Sequence, residues 1–241
     1  MKIISLVPSI TEALFDFGLS EKEVIGRTKF CIQPKNTVQK VEIIGGTKNL
    51  NIAKIKSLNP DLIIANKEEN VKEQIEELQK DFKVLVTNIS NLEDNYYLLK
   101  TLGNLLGKQE TAQKFNLKIY EILAKFSDLE KKKCAYLIWK NPYMTVGFDT
   151  FIHDILDKVG FQNIFKNKKR YPEISVEDLK VADYIFLSSE PFPFQQKHID
   201  ELQKELPDAK FFLVDGEAFS WYGTRLAKCE NYFQNLVENC K

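Results

Sequence analysis

The sequence predicts an α/β fold of two similar lobes, each built on a parallel sheet, joined by one long helix. Three observations carry that prediction. Short apolar runs alternate with amphipathic stretches through both halves, which is how strands linked by crossover helices read. Between the halves, Gln109–Lys132 contains no Gly or Pro and places Phe115, Ile119, Ile122, Leu123, Phe126 and Leu129 on one helical stripe. Finally, IAKIKSLNPDLIIANKEE followed by EQIEELQK in the first half resembles VEDLKVADYIFLSSE followed by KHIDELQK in the second. In that repeat Asp61 matches Asp183, Glu68 matches Glu190, and Leu78-Gln79-Lys80 matches Leu202-Gln203-Lys204. The expected units are residues 1–107, a linking helix at 108–133, and residues 134–241.

Taken in order, residues 2–7 form an apolar strand ended by Pro8, and Ser9-Ile10-Thr11-Glu12 reads as a capping box opening a helix that stops at Gly18. Val24–Gly26 is a short strand, and residues 27–48 read as a loop ending in Gly45-Gly46-Thr47-Lys48. Helix, strand, helix, strand and helix follow at Ile52–Leu58, Leu62–Ala65, Val71–Lys80, Val84–Thr87 and Leu92–Leu106. After the long helix, which would run about 36 Å if unbroken, Ala135–Trp139 is a strand and Thr150–Val159 a helix ended by Gly160. Val176–Leu179, Tyr184–Leu187, Gln196–Leu206, Phe211–Val214 and a helix over Thr224–Cys240 complete the second lobe.

Composition narrows the function classes. Thirty-four basic residues balance 34 acidic ones with no long single-sign run, so no broad field attracts nucleic acid or an anionic membrane. Only Arg27, Arg170 and Arg225 are arginines; with Lys as the ordinary surface cation, each Arg is a candidate for a specific task. Cys31, Cys134, Cys229 and Cys240 lack CxxC spacing, which argues against a zinc ribbon or a thioredoxin-type site. Met1 runs straight into strand-like Ile3–Val7, so the protein reads as cytoplasmic if Met1 is the native start and periplasmic if a leader has been removed.

Enzyme signatures are few. Gly45-Gly46-Thr47-Lys48 lacks the upstream Gly of a phosphate loop, GxSxG and HExxH are missing, and only His153 and His198 could serve a histidine-based site. Unusual residues concentrate instead in Arg27–Cys31, Trp139–Met144, Arg170–Glu173, Glu190–Phe194 and Glu217–Arg225, all placed at strand ends. Aromatics in such loops, with a few fixed charges, suit a large, flat or anionic ligand.

Several motifs together resemble the class III periplasmic solute-binding proteins of ABC importers, which bind cobalamin, haem and ferric siderophores. They are Ser5-Leu6-Val7-Pro8-Ser9-Ile10-Thr11-Glu12, Leu58-Asn59-Pro60-Asp61-Leu62-Ile63-Ile64-Ala65, Gly147–Phe151 leading to Gly160-Phe161-Gln162-Asn163, and Tyr171-Pro172-Glu173-Ile174-Ser175 before Asp178-Leu179. The resemblance covers nearly the whole chain and is nearest to the cobalamin-binding branch. It implies two Rossmann-like lobes on a rigid helix, a shallow cleft with little closure, and an acidic residue on each lobe that docks onto the permease. The candidates for docking are Glu68, Glu69 or Glu73 on the first lobe and Glu190 on the second. Where cobalamin binders often carry an aromatic after the third strand, this chain has Asn66.

The expectation is therefore a monomeric, non-catalytic protein that captures a metal chelate and has no cofactor or metal site of its own. Its ligand would be met by Phe30, Cys31, Trp139, Tyr143, Arg170, Tyr171, Glu217, Trp221, Tyr222 and Arg225, and its protein partner would be an ABC permease. The alternative is an intracellular metal-handling protein or enzyme on the same fold, with Cys31, Glu190, His198 and Glu217 converging as ligands or acid–base groups.

Overall fold

The computed structural model describes residues 1–240. The chain divides into two compact units. One comprises Met1–Ile89, Asp94–Asn116 and Tyr222–Arg225; the other comprises Ser90–Glu93, Leu117–Trp221 and the residues from Leu226 onward.

The first unit opens with β1 (Ile3–Ser5), α1 (Pro8–Asp16), β2 (Val24–Arg27), α2 (Lys35–Val38) and β3 (Glu42–Ile43). A small antiparallel pair, β4 (Gly45–Gly46) and β5 (Asn49–Leu50), precedes α3 (Ile52–Leu58), β6 (Leu62–Asn66), α4 (Lys72–Gln79), β7 (Val84–Thr87) and α5 (Leu92–Leu106). Its sheet is parallel throughout, in the order β3-β2-β1-β6-β7. Every residue of the central strands β1 and β6 is buried, as expected of parallel strands covered on both faces.

Helix α6 (Gln109–Ala124) stands between the two halves of the sequence. Ile119, Ile122, Leu123 and Phe126 of the expected stripe are buried, while Leu129 is exposed. The helix ends eight residues before Lys132. Beyond Ala124 the amides of Lys125, Phe126, Ser127 and Leu129 bond to carbonyls three residues back, and Ser127 Oγ takes the Ala124 carbonyl at 2.9 Å. This tightening of the last turn and the competing hydroxyl close the helix at about 24 Å.

In the second unit come β8 (Lys132–Trp139), β9 (Tyr143–Thr145), α7 (Phe151–Lys158), β10 (Phe161–Asn163), β11 (Glu173–Ile174), β12 (Tyr184–Ser188), α8 (Gln196–Glu205), β13 (Lys210–Val214), α9 (Gly216–Ser220) and α10 (Glu230–Asn239). Its sheet runs β11-β9-β8-β12-β13, with β10 also on β8. It is mixed rather than wholly parallel, because β8 folds back on β9 and β9 pairs antiparallel with β11. Asn141-Pro142 supplies that hairpin, with Asn141 at φ 64°, a left-handed turn position that Asn tolerates.

Three further expectations change. Residues 27–48, expected as a loop, carry α2, β3 and β4. The helix opened by Ser9–Glu12 begins one residue earlier, with Pro8 at its first position and no side-chain cap on Val7; Ser9 is already helical and no capping box forms. The helix expected over Thr224–Cys240 is a 3-10 turn at Arg225–Lys228 followed by α10.

The internal repeat is structural. β6 lies between β1 and β7, β12 lies between β8 and β13, and each is entered the same way: the Asp61 amide bonds the Lys2 carbonyl (2.8 Å) and the Asp183 amide bonds that of Lys133 (3.0 Å). Leu78 of α4 and Leu202 of α8 are both fully enclosed, each in the core of its own unit. Among the described residues no helix is long and apolar enough to cross a membrane. Leu78→Ala and Leu202→Ala are each expected to destabilise the protein by about 2–5 kcal/mol, read from urea unfolding. A change below about 1 kcal/mol at either site would mean that the two leucines do not play matching roles.

Candidate functional site

In a parallel sheet all strands point the same way, so the loops following them gather at one edge, the usual binding edge of such sheets. In the first unit that edge is formed by the residues following Ser5, Arg27, Asn66 and Thr87. Arg27 does not face a ligand there. Its buried guanidinium donates from Nε to the Val38 carbonyl (2.7 Å) and from Nη1 to those of Thr28 (3.2 Å) and Cys31 (3.0 Å), pinning the 28–31 turn. That turn lifts Phe30, half exposed, with Lys29 Nζ 5.1 Å from its ring centre.

Cys31, by contrast, points inward. Its sulfur lies 3.0 Å from Thr11 Oγ1 and 3.2 Å from Thr28 Oγ1, and Thr11 Oγ1 is 2.8 Å from Ser5 Oγ. Burial pushes its thiol above the usual range, against the opposing pull of the two threonines and Arg27. Asn66 also works inward: its Oδ1 accepts the Glu68 and Glu69 amides (2.8 and 3.2 Å), and its own amide donates to Asn70 Oδ1 (2.8 Å). Asn70 Nδ2 then reaches the Thr47 carbonyl (3.1 Å). This amide-built box holds Glu68 and Glu69 half-exposed, with Glu73 exposed on the first turn of α4. The Asn66/Asn70 pair was not singled out from sequence; its signal is an Asn ending a buried apolar run with a second Asn four residues on.

Tyr222 and Arg225 belong to the first unit. Arg225 Nε sits 2.9 Å from Glu12 Oε2, both groups well buried, and Thr224 Oγ1 bonds Asp16 Oδ2 at 2.5 Å. Asn95 Nδ2 donates to the Gly223 carbonyl at 3.3 Å. Tyr222 is buried, and desolvation, with Glu69 nearby, drives its hydroxyl upward while hydrogen bonds to Ser9 and Thr87 oppose the shift. The stretch thus anchors itself on α1 and α5, and its Arg is spoken for by a carboxylate.

The corresponding edge of the second unit follows Trp139, Ser188 and Val214. Trp139 is 40% exposed and packs edge-on against Phe192 (centroids 5.7 Å, 70°). Phe192 in turn meets Phe194 and His198 at 4.8 and 5.3 Å. His198 is buried: its Nδ1 accepts the Gln195 amide (2.9 Å) in the capping box of α8, and burial lowers its pKa. Tyr143, half-buried, opens β9, and burial raises its hydroxyl. Glu217 lies on the first turn of α9, half-buried. Trp221 is buried, with its indole Nε1 donating to Glu190 Oε1 at 3.1 Å.

Arg170 lies elsewhere on this unit. Thr145 faces Leu137 across β9 and β8, and Gly147 donates to the Arg170 carbonyl (2.7 Å), so Arg170 sits along the sheet edge toward the amino end of β8. From there residues 171–174 climb back, and Ile174 pairs with Tyr143. Arg170 holds φ at 56°, takes an Asp149 oxygen on its amide (2.5 Å), and lies 5.4 Å from the ring of half-buried Tyr171.

Of the residues named for a metal or acid–base site, Cys31 is engaged by Thr11 and Thr28, His198 by the Gln195 amide, and Glu190 by Ser220 and Trp221. Among the described residues no group of three or more His, Cys, Asp or Glu is placed to hold a metal ion. All four cysteines are buried free thiols, and burial lifts Cys240 to about 11.

Comparison with known proteins agrees with this architecture. The family described as periplasmic binding protein matches residues 3–209. The vitamin B12-binding protein of Vibrio vulnificus (strain CMCP6) is 27% identical over 195 residues, 78% of this chain and 71% of its own length. The uncharacterized ABC transporter substrate-binding lipoprotein YvrC of Bacillus subtilis is 28% identical over 73% of this chain and 59% of its own. Among solved structures, the periplasmic vitamin B12 binding protein BtuF of Vibrio cholerae superposes with a TM-score of 0.82 at 19% identity, covering 99% of this chain and 97% of that one. The periplasmic heme-binding protein RhuT of Roseiflexus sp. RS-1 gives 0.84 at 17%, covering 100% and 99%.

If Cys31 serves packing rather than ligation, the folded protein at pH 8 should show almost no fast-reacting thiol toward an aromatic disulfide reagent. All four thiols should appear on unfolding in urea. Rapid modification of Cys31 in the folded state would restore it as a reactive group.

Proposed function

Because this chain belongs to the periplasmic binding protein family, we propose that it is the solute-binding component of an ABC importer, and that its solute is a metal chelate of the cobalamin, haem or ferric-siderophore kind. The observation that carries the reading is the exposed Trp139 braced by Phe192 at the carboxyl end of β8, a rigid aromatic surface where parallel sheets bind ligands. Phe30, lifted by the Arg27-pinned turn, is the matching feature on the first unit. Flat or hydrophobic chelate faces gain from such rings, each pairing adding about 0.5–1.5 kcal/mol beyond the area it buries.

Tyr143, Tyr171 and Glu217 complete the proposed contacts, while Trp221 and Tyr222 are buried, each within its own unit. Arg225 is left to its pairing with Glu12, and Cys31 to its two threonines. The names of the relatives support a chelate and an ABC partner. They also favour the periplasmic option, in which the protein works as a monomer and Glu68, Glu69 and Glu73 meet the permease.

Titration of the purified protein with cyanocobalamin, hemin, a ferric trihydroxamate and a ferric triscatecholate, followed by tryptophan fluorescence, tests the proposal. One of the four should quench and saturate, and Trp139→Ala should weaken that binding at least tenfold. Silence toward all four would remove the chelate reading.

A further inference from the structure

Ser188 ends β12 and Ser189-Glu190 follow it, and each of the three is committed to a specific bond. Tyr136 donates its hydroxyl to Ser188 Oγ (3.1 Å), and Ser188 Oγ in turn donates to the Glu190 carbonyl (2.6 Å). Ser189 Oγ accepts the amide of Gly216, the first residue of α9, at 2.9 Å. Gly216 presses so closely that a Cβ there would fall 2.4 Å from Glu190 Cγ and 2.7 Å from Ser188 Oγ. Glu190 is thereby fixed at backbone and stem. Its Oε1 accepts two hydrogen bonds from the end of the same α9 segment, from Ser220 Oγ at 2.6 Å and from Trp221 Nε1 at 3.1 Å.

Resting on the function proposed above, we infer that Glu190 is a positioning residue for the Trp221 indole, and through it for ligand binding, rather than a docking carboxylate for the permease. A docking carboxylate owes its role to its charge and must be able to turn toward a partner's arginine. A positioning residue owes its role to an acceptor oxygen at a fixed place. The tight packing of Gly216, the hydroxyl chain from Tyr136 and the double donation to Oε1 all serve the second task. The indole ring has a broad, roughly two-fold torsion about its outer bond, and an ordered acceptor on Nε1 selects one setting. A wall set before the ligand arrives loses less freedom on binding.

The two roles separate on substitution. Glu190→Gln removes the charge and keeps an acceptor oxygen; Glu190→Ala removes both. With whichever of cyanocobalamin, hemin, ferric trihydroxamate or ferric triscatecholate binds the unaltered protein, Glu190→Ala should weaken binding at least tenfold and Glu190→Gln no more than threefold. In parallel, the Trp221 indole N–H is followed by ¹H–¹⁵N NMR, the chain having only two tryptophans. Its exchange with water should be slow in the unaltered protein and in Glu190→Gln, and fast in Glu190→Ala. Unchanged indole exchange in a folded Glu190→Ala protein overturns the inference, as does a Gln variant that falls as far as the Ala variant, or an Ala variant with unaltered affinity. If none of the four probes binds the unaltered protein, the chelate reading fails by itself, and the indole exchange still decides whether Glu190 positions Trp221.

Discussion

The arrangement of this protein depends on parallel strand pairing that is buried on both faces. A strand such as Leu62–Asn66 or Tyr184–Ser188 has no solvent side, so its parallel neighbour can be reached only by a crossover packed on the sheet. Every strand of the first sheet therefore delivers its following loop to the same edge. In the second unit the antiparallel β9 and β11 sit to one side of β8, leaving β8, β12 and β13 parallel to do the same. The placing of the candidate site residues is a consequence of that constraint: Phe30 follows β2, Trp139 ends β8, Glu190 follows β12 and Glu217 follows β13.

A loop at such an edge carries backbone amides and carbonyls that the sheet no longer satisfies, and leaving them buried and unpaired would be costly. Here side chains take them over. Arg27 collects three carbonyls, Asn66 accepts two amides, Asn70 reaches Thr47, and His198 caps α8. These residues give the edge its rigidity, which frees the exposed rings to face outward.

That division of labour explains what was legible in the sequence. The parallel strands β1, β2, β6, β7, β8, β12 and β13, the helices over Leu92–Leu106 and Gln196–Glu205, and the repeat around Asp61 and Asp183 followed from periodicity and punctuation, because burial dictates both, whereas the short parallel strands β3 and β10 did not. The antiparallel strands β9 and β11 were missed because two or three residues carry no period, and the early end of α6 was missed because Ser127 competes locally for the Ala124 carbonyl. At the strand ends, the direction of each side chain was not legible in the sequence. Arg27 and Arg225 were marked by their rarity, yet both spend their donors inside the first unit, where a fork of fixed N–H groups is as useful for holding carbonyls or a carboxylate as for holding a ligand. His198 was marked as one of only two histidines able to serve a site and proves to be a cap among phenylalanines.

The repeat shows how one position can acquire two duties. Glu68 and Glu190 match in sequence, and each comes two residues after a central strand of five. In the first unit Asn66 satisfies the backbone with its own side-chain oxygen, so the loop is closed before Glu68 is reached, and the carboxylate is left half-exposed. In the second unit Ser188 stands at the place of Asn66. A hydroxyl reaches less far than a carboxamide, so within this loop Ser188 Oγ bonds the Glu190 main chain, besides accepting from Tyr136, and α9 closes in through Gly216. The carboxylate then becomes the nearest acceptor for Ser220 and the Trp221 indole. The two matched carboxylates, both half-exposed, thus stand in different hydrogen-bonding settings: behind a carboxamide that has closed the loop in one unit, and as the acceptor for a hydroxyl and an indole in the other.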